Sequence, residues 1–390
     1  MVSSSSLAPP HRVPKLGHKK SLFGCQRCRS RRVKCNEAKP VCHNCKRHDL
    51  PCIYDRDAFA KKAAEKTTAT QPFPNRPEEE DPPENRSRRL TEAKLMHQYL
   101  VETGITIAAD EQTGEVFARL IPKLSFQSDG LLYSVYTVAA LHLARLGRDE
   151  EIEGGAENAA SRYFSMAVRE HNKEISQVSK QTADLVCLTS CMMRAISQIQ
   201  FQTRSRQPYV APWQWLALAQ ASTSTFVAAY ERVGPDLKSV AVRLIKETSH
   251  FHDKGKLPGG SYQRLQHLME PPEQPGVTEH WDSEVQDTYG RTLSYLCSAL
   301  ELVDEEGWTG RVFRMVLMFP MLSDQRYVEL VQEGSPRALV ILAHFFAMLV
   351  RYHDVWWVGN VGAEEIRAIA SVLPDEWQHL LAWPLKMIRQ

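Results

Sequence analysis

Residues 25–52 read CQRCRSRRVKCNEAKPVCHNCKRHDLPC, and they hold six of the chain's 9 cysteines. The spacing is Cys25-x2-Cys28-x6-Cys35-x6-Cys42-x2-Cys45-x6-Cys52, so adding seventeen to 25, 28 and 35 gives 42, 45 and 52. One unit is used twice: a C-x2-C pair that grips a metal from a turn, then a spacer long enough for a short helix before the third thiolate returns. Soft thiolates select zinc, which takes four tetrahedral ligands. One zinc leaves two of the six thiols idle. Two zincs need eight ligand positions, which six sulfurs supply only if two of them bridge. By the repeat, the bridging pair occupies equivalent positions, most simply Cys25 and Cys42. Two metals let a module of about thirty residues fold where its few apolar residues (Leu22, Phe23, Val33, Val41, Leu50 and Ile53) do not suffice.

Metal binding alone does not separate a DNA reader from a zinc-stabilised protein-interaction adaptor. The difference between the two spacers does. The first, RSRRVK, carries Arg29, Arg31, Arg32 and Lys34, whereas the second, KRHDLP, has two cations, an Asp and a Pro. Charge is concentrated on one half of a symmetric scaffold. A short helix in the major groove of double-stranded DNA, with these four side chains on phosphates and a base edge, accounts for that asymmetry; a solvated basic face serving nuclear import is the blander alternative. From Arg12 to Arg47 there are twelve Lys or Arg and a single acidic residue, Glu37, inside a chain whose net charge is only +2.

The stretch GCQRCRSRRVKCNEAKPVCHNCKRHDLPCIYD resembles the fungal zinc binuclear cluster (Zn2Cys6) transcription factors of RNA polymerase II genes. The resemblance implies two zinc ions per chain, bridged by the first and fourth cysteines, here Cys25 and Cys42. It implies that Arg32, four positions after the second cysteine, reads a CGG-like triplet. Arg supplies there a fork suited to guanine O6 and N7. The family's loop proline falls on Pro40. A nuclear location and contacts with transcription machinery or co-regulators follow from the same resemblance. HKKSLFGCQRCRSRRVKC, together with ALVILAHFFAMLVRYHDVWW and LLAWPL late in the chain, looks more narrowly like the sterol uptake control regulators. That implies a C-terminal helical domain that binds a sterol or similar apolar molecule. Phe345, Trp356, Trp357, Trp377 and Trp383 nevertheless read first as core packing and only second as pocket lining.

The remaining organisation follows from composition. Residues 1–20 are Ser-, Pro- and Lys-rich and are expected to be a disordered tail without a secretory signal. The cysteine module occupies 21–55. Residues 56–89, with QPFPNRPEEEDPPENRSRR, form a flexible linker that cannot bury a core and shows no apolar heptads. Without a coiled coil, the protein binds DNA as a monomer or dimerises through its large domain. From residue 90 to 390 apolar residues recur at helical spacing, predicting helices over 90–101, 131–146, 158–178, 182–199, 212–232, 237–251, 284–301, 311–318, 337–355, 363–372 and 376–388. The expected fold is therefore a small zinc-organised module of two short helices joined by a disordered linker to a large all-α regulatory domain. The longest apolar run, 338–350, is too short to span a bilayer and contains His344.

No enzyme is legible in the large domain, which lacks HExxH, GxSxG, phosphate-loop and dinucleotide fingerprints. Cys187, Cys191 and Cys297 read as buried small residues. His250, His252 and Asp253 read as a surface loop, His344 as a satisfied core histidine, and the acidic runs near 78 and 150 as solvated charge.

Overall fold

The computed structural model describes residues 25–31, 33, 35, 36, 38, 41–48, 50–52, 83–244, 262–270, 279 and 281–389. The expected tail at 1–20, most of the expected linker, Pro40, and the group His250, His252 and Asp253 lie outside these residues. The chain divides into two compact units, Met1–Pro82 and Pro83–Gln390. Among the described residues every regular element is helical and no strand occurs, as the sequence pattern anticipated.

The first unit contains α1 (Gln26–Ser30) and α2 (His43–Arg47). Helices this short do not persist on their own, because nucleation outweighs a single turn of hydrogen bonds. Sulfur holds them instead. Cys25 Sγ accepts the Cys28 N–H at 3.5 Å, and Cys42 Sγ accepts the Cys45 N–H at 3.4 Å. The seventeen-residue repeat thus appears as the same bond made twice.

The second unit comprises α3 (Arg86–Gln98), α4 (Asp129–Arg145), α5 (Ala156–Ser176), α6 (Ala183–Phe201), α7 (Trp213–Val233), α8 (Ser283–Glu306), α9 (Gly310–Leu322), α10 (Gln325–Gln332), α11 (Pro336–Leu349), α12 (Val361–Val372) and α13 (Ala382–Met387), with shorter turns between them. α3 begins at Arg86 because Asn85 Oδ1 accepts the Arg88 N–H at 2.9 Å. α8 runs from the Asp282 cap to Gly307, whose φ of 72° is the left-handed conformation that ends a helix.

Two helices form the centre. α4 is buried on most faces and packs against α3, α5 and α6. Its cap residue Ser128 accepts the Leu131 N–H and donates to Glu174 Oε1 on α5 at 2.6 Å, while Tyr133 and Tyr136 pack their rings on Tyr163. α11 is buried along its whole length and meets α8, α9, α10, α12 and α13. Its one cation, Arg337, is fully buried. The guanidinium reaches Glu279 at 2.8 Å and lies over the rings of Trp281 and Trp377, so the charge is paired where water cannot solvate it.

Three segments differ from expectation. α10 was not anticipated; its Tyr327, Val328, Leu330 and Val331 are buried, and Asp324 caps it by accepting the Arg326 N–H at 2.9 Å. Charged neighbours disguise this short amphipathic run. Residues 99–125 form a chain of short α-helical and wider π-type turns around Gly104, Gly114 and Pro122, which breaks the 3.6-residue period that sequence reading depends on. The predicted 337–355 helix ends at Leu349 and tightens into a 3-10 turn, Val350–Tyr352.

Distant parts of this unit are tied by polar and aromatic contacts. Glu365 on α12 is fully buried and accepts from Arg204 at 2.6 and 2.7 Å and from Arg206 at 2.8 Å. Trp356 stacks on His142 at 4.2 Å and donates its Nε1–H to Thr106 Oγ1 at 3.1 Å. Among the described residues, no single helix is long and apolar enough to cross a membrane.

Candidate metal centre and nucleic-acid interface

The fold of the first unit brings all six cysteines together. Their sulfurs form two groups of four, Cys25/Cys28/Cys35/Cys42 and Cys25/Cys42/Cys45/Cys52, with the ligand atoms of each group within 4.8 Å of one another. Cys25 and Cys42 belong to both. Five of the six side chains are buried and Cys52 is half-buried. The Sγ of Cys25 lies 3.7 Å from those of Cys42 and Cys45, and the Sγ of Cys28 lies 3.6 Å from that of Cys42. These separations are far longer than a disulfide. A zinc–sulfur bond of about 2.3 Å places the corners of a tetrahedron about 3.8 Å apart, so the spacing fits the metal.

The electrostatics point the same way. Burial pushes the Cys45 thiol up to about 12, with the neighbouring thiols of Cys42, Cys25 and Cys52 adding to it, and burial raises Cys25 and Cys28 as well. Burial works to raise Cys52 too, but the Cys42 N–H, 3.3 Å from its sulfur, and the adjacent thiols hold it below its ordinary value. Crowded thiolates repel one another in an apolar pocket, and a divalent cation between them reverses that penalty.

The basic spacer begins on α1. Arg27 and Arg31 are exposed, and the Arg31 N–H bonds the Arg27 carbonyl at 3.1 Å, extending the turn. Arg29 lies within α1, between Cys28 and Ser30. Its side chain, and the whole of Arg32 and Lys34, lie outside the described residues. Arg27 was not among the cations singled out by sequence, because it sits inside the C-x2-C pair rather than in the spacer.

A second concavity lies in the helical unit. A cavity of about 320 Å³ is lined by Phe117, Ala195 on α6, Trp215 and Phe226 on α7, Leu317 on α9, and Trp357. Of the aromatic residues singled out by sequence, only Trp357 reaches it. Phe345 and Trp377 are buried in the core, Trp356 stacks on His142, and Trp383 stacks on His344. Cys187 and Cys297 are buried, as expected, whereas Cys191 is half-buried and lines the cavity.

Comparison with known proteins locates both units. Residues 23–60 match the fungal Zn(2)-Cys(6) binuclear cluster domain, and residues 96–253 match the fungal specific transcription factor domain. A Zn(2)-C6 fungal-type transcription factor of Aspergillus fumigatus is 30% identical over 336 residues, covering 85% of this chain and 86% of the relative. The chain belongs to the fungal Zn(2)-C6 transcription factors. This transcription factor is also 24% identical to another of the family from Gibberella zeae over 440 residues, covering 96% of this chain and 87% of the relative. It is 51% identical over 305 residues to sterol uptake control protein 2 of Saccharomyces cerevisiae, a match covering 74% of this chain and 30% of that protein. The protein is thus a DNA-binding regulator of transcription whose six-cysteine cluster holds two zinc ions.

Proposed function

We propose that this transcription factor acts in the nucleus, with Cys25 and Cys42 bridging two zinc ions that Cys28, Cys35, Cys45 and Cys52 complete. The cluster presents α1 and the basic spacer to the major groove. Arg32 reads a base edge of a CGG-like triplet, and Arg29, Arg31 and Lys34 contact phosphates. The observation that carries this reading is the pair of four-sulfur groups sharing Cys25 and Cys42, beside the basic half of the repeat. The domain limits that go with it are 21–55 for the DNA-binding module, 56–89 for the linker and 90–390 for the effector domain. The effector domain recruits co-regulators and couples an apolar, sterol-like ligand to activity; the cavity between α6, α7 and α9 and the likeness to sterol uptake control protein 2 support that part.

Selection of bound sequences from random DNA by the zinc-loaded full chain tests the reading. Enrichment of a CGG-like triplet supports it, and the copy number and spacing of triplets distinguish a monomer from a dimer. A protein that binds zinc yet shows no salt-dependent DNA affinity is the adaptor instead.

A further inference from the structure

Two arginines line the cavity of the helical unit, and they differ in one respect. Arg314 is neutralised, its Nε lying 3.3 Å from Asp110. Arg194, on α6, has no carboxylate within ion-pair distance among the described residues. Its partners are sulfurs: the thioethers of Met318, at 3.9 Å, and Met321, and the thiol of Cys191. Thioethers are weak acceptors and carry no charge. The Nε of Arg194 is buried with no hydrogen-bond partner. One turn further along α6, Gln198 also lines the cavity; it is only 6% exposed, and its Nε2 donor is likewise unpartnered. Two residues with unsatisfied buried donors, one of them cationic, therefore line a mostly apolar chamber.

A buried cation without a counter-charge is costly, and a buried unpartnered amide adds to that cost. A ligand that brings an anion relieves both. We infer that the cavity binds an amphipathic monocarboxylate, its acid group on Arg194 and Gln198 and its apolar body against Trp215, Phe226 and Trp357. The inference rests on the proposal that the helical unit takes an apolar ligand, and it replaces a neutral polar end with an acidic one. Arg supplies a planar fork matched to a carboxylate, and Gln198 supplies a further donor. Leu218 and Val227 on α7 line the cavity and are more than half exposed, at 54% and 53%, which marks where the apolar body meets solvent.

Titration of the zinc-loaded full chain with dodecanoate, methyl dodecanoate, dodecylamine and a neutral sterol, followed by calorimetry and tryptophan fluorescence, tests this directly. Dodecanoate is expected to bind saturably and at least about tenfold more tightly than its ester, the difference carried by one charge-assisted contact. The amine is expected not to bind. Arg194→Met is expected to abolish the preference for the acid while leaving the ester unchanged; if that variant does not unfold cooperatively, Arg194→Gln is read in its place. Equal affinity for acid and ester, binding of the sterol alone, or an acid preference that survives both substitutions overturns the inference while leaving an apolar-ligand domain in place. Absence of saturable binding by any of the four overturns both.

Discussion

The Sγ atoms of Cys25 and Cys42 lie 3.7 Å apart, and both belong to each of the two four-sulfur groups. With these two as bridging ligands, losing either one damages both metal positions, whereas losing Cys35 damages one. The full chain is expected to carry about two zinc ions, Cys35→Ser about one, and Cys25→Ser or Cys42→Ser less than one. Elemental analysis of the purified proteins reads this, and equal losses for all three variants would remove the bridging assignment.

On DNA, the cations of the first spacer separate by role. Arg32→Ala is expected to cost about 1–3 kcal/mol of discrimination between a CGG-like site and a mismatched one. Arg29→Ala is expected to weaken all sequences alike and to lower the salt slope by about one phosphate contact. Binding isotherms on specific and random duplexes across a salt series measure both. If the two substitutions have the same profile, the base-reading role does not belong to Arg32.

Glu365 is fully buried against Arg204 and Arg206, whose side chains are 19% and 15% exposed, so little solvent screens this cluster. Removing the carboxylate strands the Arg204 guanidinium and leaves Arg206 only its more exposed partner Glu364. Glu365→Gln is therefore expected to destabilise the helical unit by about 3–5 kcal/mol. Its neighbour Glu364, 41% exposed and 2.8 Å from Arg206, is a surface partner; Glu364→Gln is expected to cost about 1 kcal/mol or less. All 8 tryptophans lie between Trp213 and Trp383, so urea unfolding followed by tryptophan fluorescence reports on this unit. A cost for Glu365→Gln no larger than that for Glu364→Gln would contradict the burial argument.

His344 introduces a pH dependence. Burial, with a smaller contribution from His267, lowers its pKa to about 4, against the opposing Val340 carbonyl that its Nδ1 reaches at 2.8 Å. A histidine kept neutral in the folded chain takes up a proton more readily when unfolded, so stability is full above the unfolded value near 6.5 and falls as pH drops toward 4. This group is expected to account for about 2 kcal/mol lost between pH 7 and pH 5. Unfolding curves at the two pH values, compared with those of His344→Leu, isolate it; an identical pH dependence in the variant assigns the loss to other groups.

The metal centre was legible in the linear sequence because its ligands are close together in the chain. A seventeen-residue repeat of Cys25, Cys28 and Cys35 leaves few ways to satisfy zinc with six sulfurs, and the charge difference between the spacers needs no coordinates. Long helices were legible for a related reason, since α4 and α11 bury most of their faces and so announce themselves by apolar run alone. The short turns over 99–125 and α10 were not, because glycine, proline and local charge mask the helical period. The resemblance led to the expectation of an apolar pocket in the helical domain, but of its lining only Trp357 was singled out from the linear sequence. Arg194 and Gln198 sit at an ordinary helical interval on α6, and nothing in their own segment says whether the cation is paired. That depends on Met318 and Met321, 124 and 127 residues further on, whose thioethers stand beside Arg194 where a carboxylate could have stood. Glu365, 161 residues from Arg204, supplies the opposite case, a charge neutralised only by folding. Local spacing dictates which atoms can share a metal; the packing of remote helices dictates which buried charges are left for a ligand to satisfy.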